Sequence, residues 1–221
     1  MDYDKALGAV LRVAEGRGFV VASKLQRRER LVITAGHCLP RLLPCHTGSH
    51  LEERTYERLL GPLDAKPTVW AECLFVDPIS DLAVLGAPDS QALCDKNKEY
   101  EALTRAMTPL RIAKAGEDTP AFLLSLDLRW LACLVHNSGG ALWITGAKTA
   151  GGMSGSPIID KDGRAIGVVC TGSDSENNYD GPHTKAHAFL TALDDAAAVA
   201  SRTRRALGIL SSTFGSKQFV A

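Results

Sequence analysis

Short aliphatic and β-branched runs, separated by turn residues or charged clusters, recur along most of the chain, and this texture predicts strands rather than helices. The runs 9–13, 18–22 and 31–35 are divided by Glu15-Gly16-Arg17 and by Gln26-Arg27-Arg28-Glu29-Arg30, as the first strands of a sheet would be. Residues 41–66 read as a polar insertion, with a helical turn around 52–60 where leucines and charges recur at helical spacing. Strand character resumes over 69–76, and Asp77-Pro78 marks a turn. Asp81-Leu82-Ala83-Val84-Leu85 then begins a buried strand with a carboxylate at its mouth. The lysine- and glutamate-rich stretch 88–106 reads as a solvated linker with a short helix.

A second set of runs follows at 110–113, 122–126, 130–135, 141–145, 156–160 and 165–170. Asn137-Ser138-Gly139-Gly140 and Lys161-Asp162-Gly163 supply turns, and the even spacing fits a β-barrel or sandwich. From 184 to 207 the pattern becomes helical, with Phe189, Leu193, Ala196 and Ala200 on one face and Gly208 as a stop. The expected architecture is all-β, in two lobes over 1–106 and 107–221, with a C-terminal helix on the second. Residues 211–221 carry no signal and read as a tail or as the cut end of a longer protein.

Composition narrows the function. With 221 residues, 45% of them hydrophobic, the chain can bury a full-sized core. Its 25 basic and 25 acidic residues balance, so there is no electrostatic footprint for nucleic acid or an anionic membrane, and the expected partner is a protein or peptide. The opening Met1-Asp2-Tyr3-Asp4 is acidic where an export signal is basic, and the apolar run behind it is broken by Gly8 and Arg12. Cys38, Cys45, Cys73, Cys94, Cys133 and Cys170 are irregularly spaced and form no CxxC pair. Reduced thiols in a cytoplasmic setting, serving mainly as core filler, are expected. No transmembrane segment and no cofactor are indicated.

Three residues stand at the ends of these runs: His37 in Thr34-Ala35-Gly36-His37-Cys38, Asp81, and Ser154 within the glycine-rich turn Gly151-Gly152-Met153-Ser154-Gly155-Ser156-Pro157. A serine hydroxyl is a weak nucleophile until an imidazole takes its proton, and the imidazole needs a carboxylate to fix its tautomer. His37, Asp81 and Ser154 are the residue types that this chemistry requires. Asp77 is the second candidate for the acid, but the proline behind it favours a turn role. Each residue alone would be commonplace: a structural histidine, a strand-edge carboxylate, a solvated serine. Cys38, Cys45, His46 and His50 fall within one loop, but their spacing matches no common zinc motif, so no metal site is expected. His136, His183 and His187 read as surface residues, the last on the exposed start of the terminal helix.

The three segments resemble the histidine, aspartate and nucleophile segments of trypsin-like serine peptidases, in that family's order, over roughly residues 9–208. Intracellular bacterial modules of the family, often joined to other domains, look most similar, and Gly-x-Ser-Gly-Ser-Pro is also similar to glutamyl endopeptidases. The resemblance implies a chymotrypsin-like double β-barrel with the active site between barrels. It also implies His37, Asp81 and Ser154 as a catalytic triad and the Gly152 and Ser154 amides as the oxyanion hole. Along the cleft it places Val169, Cys170, Thr171 and Gly172 on the substrate-pairing strand, with Lys148 and Thr149 near the primary specificity pocket. Lys148 would repel a basic side chain and favour an acidic or small apolar one, unless it is a solvated loop residue.

Three departures from the family sharpen these expectations. No cysteine precedes Cys38, so the disulfide that secreted members make there is impossible. Met153 stands where zymogen-activated members carry an aspartate, so the site is expected to be preformed or controlled by a regulatory or fused partner. Val169 stands where glutamyl endopeptidases carry a histidine, removing half of their acidic-recognition pair. Two alternatives remain open: a catalytically silent or partner-gated peptide-binding module of the same fold, and an esterase acting on a small substrate.

Overall fold

The computed structural model describes residues 3–22, 30–42, 51–138, 141–172 and 184–188. A short helix α1 (Tyr3–Leu7) leads into β1 (Val10–Val13), β2 (Gly16–Ala22) and β3 (Arg30–Ala35). A one-turn helix α2 (Leu51–Arg54) precedes β4 (Thr55–Gly61), β5 (Val69–Asp77) and β6 (Leu82–Gly86). These six antiparallel strands close in the order β1-β2-β3-β6-β5-β4, the seam being the pairing of Arg12 and Val13 with Gly61 and Leu60. Helix α3 (Cys94–Arg105) packs on β5 and β3.

The second barrel comprises β7 (Asp118–Leu124), β8 (Trp130–Ser138), β9 (Ala141–Thr145), β10 (Pro157–Asp160), β11 (Ala165–Gly172) and β12 (Thr184–Ala188). It closes as β10-β11-β12-β9-β8-β7, with Ile158 opposite Leu123 at the seam.

Alternation along the strands explains how the two barrels join. Leu11, Phe19, Ile33, Leu59, Leu60, Leu82 and Leu85, from both faces of the first sheet, belong to the first barrel's buried cluster, whereas Leu123, Val135, Leu142, Ile144, Ile158 and Ile166 fill the second barrel. The neighbours Leu124, Ile159, Ala165 and Val168 point the other way and belong to the first barrel's cluster. Successive side chains of a strand face opposite sides, so β7, β10 and β11 are apolar on both faces: one packs the second barrel and the other packs against the first. The connecting segment stitches the same interface, with the Leu110 N–H donating to Val20 O and the Ala113 N–H to Ala165 O, both at 2.9 Å. Tyr3 reaches across as well, its ring edge-on to Phe122 at 5.3 Å.

Several expectations need correction. The stretch read as helical at 52–60 is helix only through Arg54, and the rest is β4. A register shift between Tyr56 and Leu60, with Arg58 at φ +49°, turns the strand so that Thr55, Tyr56, Leu59 and Leu60 are buried while Glu57 and Arg58 are exposed. That spacing imitates a helical face. The short helix expected within 88–106 is present as the 12-residue α3, but the stretch is no solvated linker: its Tyr100 is 1% exposed and donates its hydroxyl to the Leu85 and Arg30 carbonyls. Residues 110–113 make isolated bridges, Leu110 to Val21 and Ile112 to Ala165, rather than a strand. Residues 184–188 are strand β12, not the start of a helix, and His187 pairs with Val168. Ala186 and His187 complete a ladder between β11 and β9, a tertiary constraint invisible to local periodicity. The remainder of the expected helix, 189–207, lies outside the described residues.

Candidate active site

Strand register brings His37 and Asp81 together. β3 pairs with β6 so that Ala35 faces Leu82, and the chains just beyond that pair run side by side. Gly36 donates its N–H to Asp81 O at 2.9 Å, and a single 3-10 turn, Gly36–Cys38, carries the histidine. Asp81 has φ +51°, a left-handed conformation to which aspartate is better suited than most residues. Its carboxylate then grips His37 at two points. Oδ1 accepts the His37 main-chain N–H at 2.8 Å, and Oδ2 lies 2.6 Å from ring Nδ1. The Asp81 side chain is 20% exposed and that of His37 46%, so the acid is the more shielded of the two. Asp77 is engaged otherwise, with its Oδ1 capping the N–H groups of Ile79 and Ser80 in a local turn.

Ser154 lies between β9 and β10 in two consecutive turns. The Met153 N–H donates to Ala150 O at 3.1 Å and the Ser156 N–H to Met153 O at 3.0 Å. The third residue of each turn is glycine, Gly152 at φ +87° and Gly155 at φ +81°, as such turns demand. Among the described residues neither the Gly152 N–H nor the Ser154 N–H meets an acceptor in the chain. Met153 is buried beneath the turn, and its Sδ accepts the Ala150 N–H at 3.2 Å. The turn is therefore packed from below by a neutral thioether, without a buried carboxylate that would require a cation.

Contacts from both barrels fix this turn. From β11, Val169 O accepts the Gly155 N–H at 2.7 Å and the Val169 N–H donates to Ser156 O at 3.0 Å. From β2, the Arg17 N–H donates to Ser154 O at 2.8 Å. A Cβ on Gly16 would lie 2.5 Å from Cys38 Sγ and 2.9 Å from Ser154 O, so the serine turn and the histidine turn meet over one residue of β2. Gly16 thus leaves the space that Cys38 Sγ occupies. Burial pushes the Cys38 thiol up from its ordinary range, which keeps it protonated beside His37. Cys170, 1% exposed, directs Sγ to Asp81 O at 3.3 Å. Among the described residues no hydrogen bond joins Ser154 Oγ to the His37 ring.

Val169 is 2% exposed, and its main chain bonds Gly155 and Ser156 of the serine turn. Cys170 sits at a shift in the β11–β12 register, between the pairs made by Val169 and Thr171. Thr171 and Gly172 continue β11 opposite Lys185 and Thr184. Lys148 is exposed and Thr149 half-buried in the segment entering the turn. Cys45, His46, His50 and His183 lie outside the described residues, and no cluster of three metal-ligating side chains occurs within them. His136 pairs with Asp118 at 2.6 Å on the surface of the second barrel.

Sequence reasoning overlooked Arg17 and Cys170's link to Asp81. Arg17 looked like a turn residue after Glu15-Gly16. The available signal was a charge at the head of the apolar run Gly18–Ala22, where a buried arginine needs a specific set of acceptors.

Two closed barrels with these segments meeting between them define a serine peptidase architecture. A family model for the trypsin-like peptidase domain matches residues 16–168, and the chain belongs to that family. In fold it is similar to the HtrA-type protease AlgW, solved with a decapeptide, at 12% identity and a TM-score of 0.53, covering 91% of this chain and 68% of that one. It is likewise similar to the serine endoprotease from Yersinia pestis, at 14% identity and a TM-score of 0.54, covering 92% and 68%. No curated protein matches the chain. No helix among the described residues is long and apolar enough to cross a membrane.

Proposed function

We propose that the chain is a serine endopeptidase in which Ser154 is the nucleophile, His37 the general base and then general acid, and Asp81 the residue that orients His37. The observation carrying this reading is the two-point grip of Asp81 on His37, set beside a serine turn with two unengaged N–H groups. With Nδ1–H held by the carboxylate, Nε2 is the basic nitrogen. Ser154 Oγ attacks the peptide carbonyl carbon as its proton passes to Nε2. The Gly152 and Ser154 amides receive the negative oxygen, an interaction worth about 100- to 1000-fold in turnover per donor. The C–N bond then breaks, the amine leaving with the proton from His37, and an ester to Ser154 remains. Water, activated by the same imidazole, cleaves that ester.

Because Met153 supports the turn from below without an ammonium, we further propose that the site is set without N-terminal trimming. The missing Ser154–His37 hydrogen bond supports a second reading, a partner-gated module of the same fold in which contact forms only on binding. Such bonds are often long in unliganded enzymes, which favours the first reading. The cytoplasm and a protein or peptide substrate remain our proposals for its setting and target.

Profiling on a peptide library separates the readings. Cleavage by the native chain and none by Ser154→Ala is expected, with acidic or small apolar residues preferred before the cut and basic ones disfavoured. Reversing the charge with Lys148→Glu should shift that preference toward basic residues. Cleavage unchanged in Ser154→Ala would overturn the assignment, and an unshifted preference would remove Lys148 from the pocket.

A further inference from the structure

Arg17 is 7% exposed, and its guanidinium crosses from the first barrel to the second. Nη1 donates to Ser125 O at 2.8 Å and Leu124 O at 3.3 Å, and Nη2 to Leu126 O at 3.2 Å. Among the described residues no carboxylate accompanies it, and burial lowers its pKa from the ordinary arginine value. A buried cation satisfied by carbonyls alone is a poor source of stability, since an apolar side chain of similar size commonly serves as well. What the guanidinium adds is a planar fork that holds several acceptors in a fixed relation.

Those acceptors belong to a rigid turn. The Ser125 N–H donates to Arg129 O at 2.8 Å, the Arg129 N–H to Ser125 Oγ at 3.0 Å, and the Leu128 N–H to Ser125 O at 3.2 Å. The turn carries Leu126 to the flank of the nucleophile segment, where Leu126 Cδ2 lies 3.5 Å from the place of a Cβ on Gly152. On the other flank the Arg17 main chain holds the same segment, its N–H on Ser154 O at 2.8 Å and its carbonyl against Gly155. That carbonyl is fixed in turn by Thr34 Oγ1 at 2.7 Å. One residue of the first barrel thus braces both sides of the turn that presents Gly152 and Ser154.

We propose that Arg17 is a positioning residue for the reaction: its fork, acting through the 124–126 carbonyls and Leu126, keeps the Gly152 and Ser154 amides aimed at the developing oxyanion. The proposal rests on the serine-peptidase reading above. It requires the side chain to influence the rate of acylation rather than the affinity for substrate, because the bracing bears on where the oxyanion forms.

The test compares the native chain with Arg17→Lys, Arg17→Met and Leu126→Ala, measuring kcat and KM on a cleaved peptide, fluorophosphonate labelling rate and urea unfolding. Both Arg17 variants should lose at least about tenfold in kcat and in labelling rate with KM within about twofold, since small misplacements in an active site are costly in rate. Leu126→Ala removes an exposed side chain and leaves the barrels intact, so it should show a smaller loss of the same kind even if the Arg17 variants fail to fold. Folded Arg17 variants with native kcat would overturn the proposal, as would unfolded Arg17 variants alongside Leu126→Ala at native rate. A native chain that neither cleaves nor labels would instead overturn the peptidase reading itself.

Discussion

Asp81→Asn is expected to lower kcat by about 10,000-fold while the protein stays folded, if Asp81 orients His37 as proposed, the size of effect seen when a triad aspartate loses its charge. The reason lies in the two-point grip. Oδ1 accepts a main-chain N–H at 2.8 Å, and Oδ2 faces Nδ1 at 2.6 Å. An asparagine has only one oxygen, which the His37 main-chain N–H claims, and the amide NH2 is then turned toward Nδ1. Nδ1 must become an acceptor, the ring proton moves to Nε2, and the imidazole can no longer take a proton from Ser154. Steady-state kinetics with a cleaved peptide check this. Asp77→Asn is the internal comparison: its Oδ1 serves a local turn that asparagine also forms, so activity stays within about threefold of native. Equal losses in the two variants would remove Asp81 from its special role.

Gly155→Ala is expected to destabilise the protein by about 3 kcal/mol or more, combining left-handed backbone strain with overpacking. At φ +81° an added Cβ would meet the Arg17 carbonyl oxygen at 1.8 Å and Thr34 Oγ1 at 2.6 Å. Neither neighbour can yield cheaply, because one is backbone and the other is hydrogen-bonded to it. Gly163, in the β10–β11 hairpin at φ +74° with nothing within 4 Å, separates the two contributions: Gly163→Ala costs only the backbone share, about 1 kcal/mol. Urea unfolding of both variants measures the difference. Near-equal costs would show that the approach of Arg17 to the serine turn is looser than described.

The strands that announced themselves were those with one unbroken rhythm. β1, β2, β3 and β6 are compact apolar runs with charged punctuation, and their ends carried His37 and Asp81 into view. β4 hid because its bulge gave a strand the spacing of a helix, and β12 because its identity comes from its partners, β11 and β9, rather than from its own residues. Tyr100 hid for a similar reason: in a charged stretch, only the barrel wall behind it shows why one ring is buried.

The candidate site divides in the same way. The residues proposed to act chemically, His37, Asp81 and Ser154, were legible because the proposed chemistry demands those types in recognisable words. Residues whose role is mechanical were not. Arg17 acts through carbonyls 107 to 109 positions away, and Cys170 contacts the main chain of Asp81 across the barrel interface. Backbone acceptors have no sequence signature, so a residue devoted to holding them looks like any other charge or thiol.

Labelling of the native chain with a fluorophosphonate, read by intact mass and by peptide mapping, tests the central claim most directly. One equivalent attached at Ser154, lost in both Ser154→Ala and His37→Ala, is the expected result. No labelling of the folded chain, or labelling that persists in Ser154→Ala, would contradict it.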